Sequence, residues 1–209
     1  MSAHIYLGGS LLVVATLHTG FQFGVNVHTL AYSLMCLVIF SGFFGVWAYR
    51  HYPEARNDLK RSQTLDDIFL QLEDVDNQIK REISSMAEDV RGVITSAIER
   101  TEVGGGLFAQ LRGTDNSKVI IDGQVKTNTD QVQVVSWLVQ RLTRAEGDES
   151  RRLASIVRDY GGRQKILRTI RTDIRMSGLQ EVWLYLHVPL SFGLLAALIA
   201  HVVSVFIYW

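Results

Sequence analysis

Two pairs of histidines share one internal spacing, and each pair lies in a stretch without charged residues. His4 and His18 are 14 positions apart, as are His187 and His201. On an α-helix, 14 residues advance about 21 Å and turn about 40° short of four full turns, so each pair lies on one face of its helix. The two members of a pair would then lie near opposite edges of a bilayer core.

Imidazole nitrogens are ligands for haem iron, and this is the chemistry that the spacing favours. Two neutral imidazoles that face each other from neighbouring helices occupy both axial positions of the iron. Such a site suits electron transfer better than oxygen or substrate binding, because no axial position is left open. Two pairs with matched spacing therefore predict two haems stacked across a membrane.

The distribution of charge indicates which segments hold these histidines. Residues 1–49 and 182–209 contain no Asp, Glu, Lys or Arg. Because about 20 apolar residues cross the hydrocarbon core, we predict transmembrane helices at about 3–22, 28–49 and 182–208. A signal peptide is disfavoured for the first run, because no basic residues precede it. The predicted domains are a transmembrane hairpin (1–50), a cytoplasmic helical insert (51–178) and the third transmembrane helix (179–209).

Lysine and arginine flank the insert at both ends, which sets the expected orientation. The flanking basic residues are Arg50, Arg56, Lys60, Arg61, Arg163, Lys165, Arg168, Arg171 and Arg175. The connection at 20–26 carries no charge, so the positive-inside rule predicts a cytoplasmic insert and a protein of the bacterial inner membrane. The first and third spans then both run outwards. This places His4 level with His187 on the inner side, and His18 level with His201 on the outer side.

The segments HIYLGGSLLVVATLH, from His4, and HVPLSFGLLAALIAH, from His187, resemble the haem-bearing helices of the cytochrome b class. The similarity covers residues 1–23 and 186–209. It implies that His4 and His187 ligate an inner haem, and that His18 and His201 ligate an outer one. The chain has three predicted spans, so the four-helix environment of that class would need another subunit, a second copy or a looser site.

The other two histidines lie at the ends of the second predicted span. His28 could replace His18 as a haem ligand, donate a hydrogen bond to a quinone carbonyl, or face interfacial water. His51 follows Arg50 at the inner end, where it would face solvent or contact a haem propionate. Ionisable residues inside a membrane are functional hypotheses by default, because polar groups in hydrocarbon are costly.

The insert shows helical periodicity. Its first apolar stripe contains Leu65, Ile68, Phe69, Leu72, Val75, Ile79, Ile83, Met86, Val90, Val93, Ile94 and Ile98. This spacing predicts one long amphipathic or coiled-coil helix over 64–100, with a capping box at Thr64 and Asp67. A hairpin turn is predicted at Asp122-Gly123. Helices are predicted at about 130–145 and 148–176, the second loosened at Gly161-Gly162, and together the helices would form an antiparallel stalk.

Several other chemistries are disfavoured by the sequence. There is no Cys-x-x-Cys-His motif for covalent haem, and Cys36 is the only cysteine, so this chain alone would not build a cysteine-ligated metal centre. The glycines at 104–106 lack the context of a phosphate loop. The basic run at 163–175 suits a membrane flank or anionic lipids better than nucleic acid.

Two functions from different classes remain. The first is a cytochrome b subunit that carries electrons across the bilayer and exchanges them with quinone or a redox partner. It would be an electron-transfer subunit of an oxidoreductase complex rather than a stand-alone enzyme. The second is a non-redox membrane interaction, assembly or signalling protein. Because the stripe over 65–98 exceeds what the later helices obviously bury, we expect either a homo-oligomer or docking onto a redox subunit.

Overall fold

The computed structural model describes residues 2–21, 23–60 and 64–207, and only the backbone of residues 2, 4, 49, 51–60 and 107. The described chain is mostly helical and includes one antiparallel pair of strands. Its elements are α1 (Ser2–His18), α2 (Val27–Lys60), α3 (Leu65–Ile83), α4 (Glu88–Glu99), α5 (Leu107–Arg112), β1 (Lys118–Ile121), β2 (Gln124–Thr127), a 3₁₀ turn (Thr129–Gln131), α6 (Val132–Leu142) and α7 (Gly147–Ile207).

The chain divides into two compact units. The first, called here the apolar unit, comprises Met1–Ala55 and Leu179–Trp209. The second, called here the charged unit, comprises Arg56–Gly178. The long helix α7 contributes its first part to the charged unit and its last part to the apolar unit.

Two helices of the described chain are long and apolar enough to cross a membrane. They are α2, over Val27–Ala48, and α7, whose apolar stretch lies in its C-terminal part. The first helix is shorter than predicted. It ends at His18 rather than near residue 22, because Gly20 and Phe21 take left-handed conformations. Its 17 residues rise about 25 Å, and its apolar stretch, Ile5–His18, falls below the length of the other two.

Helix α2 starts where the sequence supplies an N-cap. The Asn26 side chain accepts a hydrogen bond from the Thr29 backbone N–H at 2.8 Å, which satisfies one of the unpaired donors of the first turn. Thr16 on α1 and Tyr32 on α2 join their hydroxyl groups at 2.9 Å. The cap and this bond fix the start of α2 beside the end of α1.

The charged unit has its own hydrophobic core. Residues of α3, α4, β1, α6 and α7 form it, and its fully buried members include Ile79, Ile94, Val119, Leu138 and Ile156. The predicted hairpin is confirmed: Ile121 pairs with Gln124, and Asp122 and Gly123 both have positive φ, as a type I′ turn requires. The predicted capping box is also confirmed, with Thr64 and Asp67 bonded in both directions.

The long coiled-coil helix predicted over 64–100 is wrong. The chain leaves the helical path between α3 and α4, where the Ser84 hydroxyl donates to the Arg81 carbonyl at 2.7 Å. Serine side chains compete for backbone groups in this way and favour helix ends. The break lets α4 fold back into the core, so that Ile79, Ile83 and Val90 are buried inside the unit. The second half of the stripe, from Ile79 onwards, is therefore covered within the unit, whereas Phe69 in its first half is exposed.

The predicted loosening at Gly161-Gly162 is also wrong, since α7 continues through both glycines. Glycine costs a helix about 1 kcal/mol relative to alanine, but the flanking residues are held by tertiary contacts. Tyr160 and Arg163 are both buried; the Tyr160 hydroxyl donates to Gln131 at 2.7 Å, and Arg163 binds the Asp76 carboxylate at 2.5 Å. These contacts outweigh the weak helix preference of the two glycines.

Much of the basic run before the third apolar stretch is engaged within the charged unit. Arg163 pairs with Asp76, Arg168 with Asp130, and Arg171 with Asp115. The Arg175 guanidinium donates to the Leu111 carbonyl at 3.2 Å. The sequence predicts a membrane flank or a contact with anionic lipids for this run, and three of its arginines are paired with carboxylates of their own unit.

Candidate functional site

All six histidines lie in the apolar unit, and five of them, on three helices, are candidate haem ligands. His4 and His18 belong to α1, His28 to α2, and His187 and His201 to α7. The side chains of His4 and His51 lie outside the described residues, so both predictions for His51, solvent or a haem propionate, fall there too. The other four rings fall into two places in this unit.

Three of the described rings line one cavity. His18 from the end of α1, His28 from the start of α2 and His201 from α7 border a space of about 910 Å³. Its apolar lining includes Leu11, Met35, Leu194 and Leu198, and its polar lining includes Thr19, Asn26, Thr29 and Tyr32. A cavity of this size falls within the about 300–1,000 Å³ typical of cofactor sites, which are also mostly apolar with a few polar groups.

One direct contact in this cavity joins His28 to His201. Their Nδ1 atoms are 2.5 Å apart, and the ring planes are nearly perpendicular, with centroids 4.3 Å apart. One Nδ1 must carry the proton and the other must accept it, because two neutral imidazoles share one hydrogen in such a bond. None of the three roles expected for His28 from the sequence is a hydrogen bond to His201.

His187 lies in a second place, between α2 and α7. Its Nδ1 is 2.7 Å from the Ser41 hydroxyl oxygen, and its ring stacks on the Trp183 indole with centroids 5.0 Å apart. The indole N–H of Trp183 donates to the Ser41 carbonyl at 2.7 Å. Ser41 therefore binds both α7 residues, one through its side chain and one through its backbone.

Glycines of α2 make this packing possible. A Cβ added at Gly45 would overlap with the Trp183 indole, and one at Gly42 would lie 3.8 Å from Cε1 of His187. The absence of a side chain at Gly45 thus lets α7 approach α2 closely, as small residues do between membrane helices.

Of the two histidine pairs expected from the sequence, only the outer pair has both side chains among the described residues. His18 and His201, the expected outer pair, border the same cavity, together with His28. The expected inner pair of His4 and His187 stays a prediction, because the His4 side chain lies outside the described residues. Sequence reasoning missed Ser41 and Trp183. A polar hydroxyl within an apolar span was the available signal for Ser41, since such groups need a partner.

Among the described residues, no three side chains of His, Cys, Asp or Glu come together to hold a single metal ion. Neutral imidazole rings in an apolar cavity offer nitrogen lone pairs without introducing charge.

No protein-family model, curated protein or solved structure matches this chain.

Proposed function

We propose that this chain is a membrane-bound b-type cytochrome subunit that carries electrons through histidine-ligated haem. The observation that carries the proposal is the cavity bordered by His18, His28 and His201. The three rings come from three different helices, in segments that contain no charged residue. Imidazole rings are costly to keep in hydrocarbon, so their gathering at one cavity favours a common ligand.

Membrane insertion is supported by the exposure of the apolar helices. Only 17% of the apolar window of α2 and 6% of that of α7 is buried, whereas the core helix of a soluble protein would be mostly buried. Large side chains such as Phe40, Phe192 and Phe206 face outwards. An apolar solvent around these helices removes the free-energy cost of that exposure. We propose α1 as a third, short span beside them.

The residues of the cavity fit a bound haem. His18 and His201 would be the axial ligands of the outer haem, and Leu11, Leu194 and Leu198 would keep water from it. A bound haem supplies a one-electron redox centre. Ligation by two histidines would favour electron transfer over oxygen chemistry. The inner haem, between His4 and His187, rests on the spacing in the sequence.

This function needs a donor and an acceptor outside the chain. We propose that electrons pass between quinone and a redox partner subunit, or through a second copy of this chain. The protein would then act as one subunit of an oxidoreductase complex in the bacterial inner membrane, with the charged unit in the cytoplasm.

The proposal is tested by counting haems in purified variants. We expect His18→Ala and His201→Ala each to lose the outer haem, measured as pyridine haemochrome per chain. The matched control is Phe192→Ala, which truncates an exposed side chain of α7 between the two histidines and should keep the wild-type haem content. Wild-type protein that inserts in membranes and contains no haem would overturn the proposal in favour of a non-redox membrane interaction protein.

A further inference from the structure

We infer that His28 and Ser41 of α2 are positioning residues, which hold His201 and His187 of α7 by their Nδ1 atoms so that Nε2 is the ligating nitrogen. The inference rests on the proposed haem-binding function and deepens it. It assigns one ligand of each proposed haem to α7 and the groups that orient these two ligands to α2. It also gives His28 a role that differs from axial ligation.

The proton positions at Ser41 follow from its two neighbours. The Ser41 hydroxyl is 2.9 Å from the Val38 carbonyl oxygen and 2.7 Å from Nδ1 of His187. A carbonyl oxygen can only accept, so the single hydroxyl hydrogen goes to Val38. The Ser41 oxygen must then accept from His187, whose Nδ1 carries the proton. In this tautomer of the neutral ring, the lone pair is on Nε2.

The contact between His28 and His201 allows one ligand, not two. Their Nδ1–Nδ1 hydrogen bond uses the proton of one ring and the lone pair of the other. If His201 donates, its Nε2 keeps a lone pair for iron, and neutral His28 carries its own proton on Nε2. His28 in that state is an acceptor and cannot be an axial ligand. His201 is the ring with a partner of matching spacing on α7, so it takes the ligand role.

The two contacts repeat one arrangement at both ends of the same helix pair. Ligating histidines usually donate their second ring N–H to a fixed acceptor, which sets the tautomer and makes the ligating nitrogen more basic. Here a serine oxygen and a histidine nitrogen would serve as those acceptors. The Trp183 ring stacked on His187 further restricts rotation of that imidazole.

The test uses full-length haem-loaded protein with Ser41→Ala, Ser41→Thr and His28→Ala. Loss of an orienting acceptor typically weakens binding by about 10–100-fold, so Ser41→Ala and His28→Ala should release haem more readily. Each should raise the reduction potential of one haem, because a less basic imidazole stabilises the ferric iron less. Ser41→Thr keeps the hydroxyl and should restore the wild-type potential. Ser33→Ala, an exposed hydroxyl on the same helix, is the matched control and should change nothing.

Two results would overturn the inference while the proposed function stands. One is an unchanged potential and electron paramagnetic resonance spectrum in both alanine variants. The other is complete loss of one haem in His28→Ala, which would make His28 an axial ligand. Nitrogen-15 NMR of the haem-free protein tests the tautomers separately: a proton on Nε2 of His187 would contradict the inference. Haem-free wild-type protein would instead overturn the proposed function.

Discussion

Histidine rings in hydrocarbon need partners, and both described α7 histidines have one on α2. A polar group in hydrocarbon without a hydrogen bond costs several kcal/mol, so in the proposed membrane setting the Ser41 and His28 contacts would stabilise the helix pair as well as orient the rings. The same residues thus serve folding and the proposed chemistry. Substitutions at these positions therefore need control variants that separate a loss of stability from a loss of haem binding.

Gly45 offers such a test at the scale of one residue. A Cβ there would overlap with the Trp183 indole, so Gly45→Ala should force α2 and α7 apart and destabilise the apolar unit by about 1–3 kcal/mol. Gly193→Ala is the control, because a Cβ at that position meets no atom within 4 Å. Thermal unfolding in detergent, followed by tryptophan fluorescence, measures both. Equal melting temperatures for the two variants would contradict the predicted close packing.

At the scale of elements, the local structure could be predicted from the sequence, whereas the contacts between distant segments could not. The capping box and the Asp122-Gly123 turn depend on residues within a few positions, and both are confirmed. The break after Ile83 and the continuity of α7 at Gly161-Gly162 depend on a core assembled from distant segments. Periodicity gave the buried face of α3 and α4 and could not show that the chain folds back to cover it.

The burial of Ile79 changes what its substitution should do. From the sequence, Ile79 and Ile83 were expected at an assembly surface, but they are 0% and 2% exposed in the core of the charged unit. Ile79→Asp should therefore destabilise that unit by more than about 3 kcal/mol, through a lost core contact and a buried charge. Leu70→Asp, on the exposed side of α3, should change stability by less than about 0.5 kcal/mol. Limited proteolysis and circular dichroism of the full chain compare the stabilities of the two variants. Two variants of equal stability would contradict the core assignment.

Tyr160 makes the stability of the charged unit depend on pH in the alkaline range. Burial raises the pKa of Tyr160 to about 12, against the opposing effect of the Arg163 charge, whereas the unfolded chain has a pKa of about 10. Its contribution to stability is therefore complete below about pH 10 and is lost as the pH rises to about 12, by on the order of 3 kcal/mol. Tyr160→Phe should flatten this alkaline loss, measured by urea unfolding at several pH values. The exposed control Tyr185→Phe should retain the alkaline loss of stability. If the free energy of unfolding depended on pH equally in the wild type and both variants, the prediction would be wrong.

For the whole molecule, the proposed topology places the charged unit on one side of the membrane. Arg163, Arg168 and Arg171 are paired with carboxylates of their own unit, but the positive-inside rule counts lysine and arginine rather than net charge, so these pairs leave the expected orientation unchanged. The uncharged connection at 20–26 still favours the outer side for that loop.

Thiol labelling of intact cells tests this orientation. In a Cys36→Ala background, Val25→Cys in the exposed connection should react with a membrane-impermeant reagent. Glu146→Cys, at an exposed position of the charged unit, should react only after the cells are permeabilised. The reverse pattern would put the charged unit outside and exchange the levels of the two haem sites.

The most direct measurement is the visible absorption spectrum of the purified full-length protein, oxidised and then reduced with dithionite. Ligation by two histidines predicts the sharp, low-spin reduced bands of a b-type haem, unchanged by added carbon monoxide because no axial position is open. His201→Ala should abolish the outer contribution, and Phe192→Ala should keep it. A wild-type spectrum without haem bands, or one that carbon monoxide shifts in full, would contradict the proposed bis-histidine cytochrome.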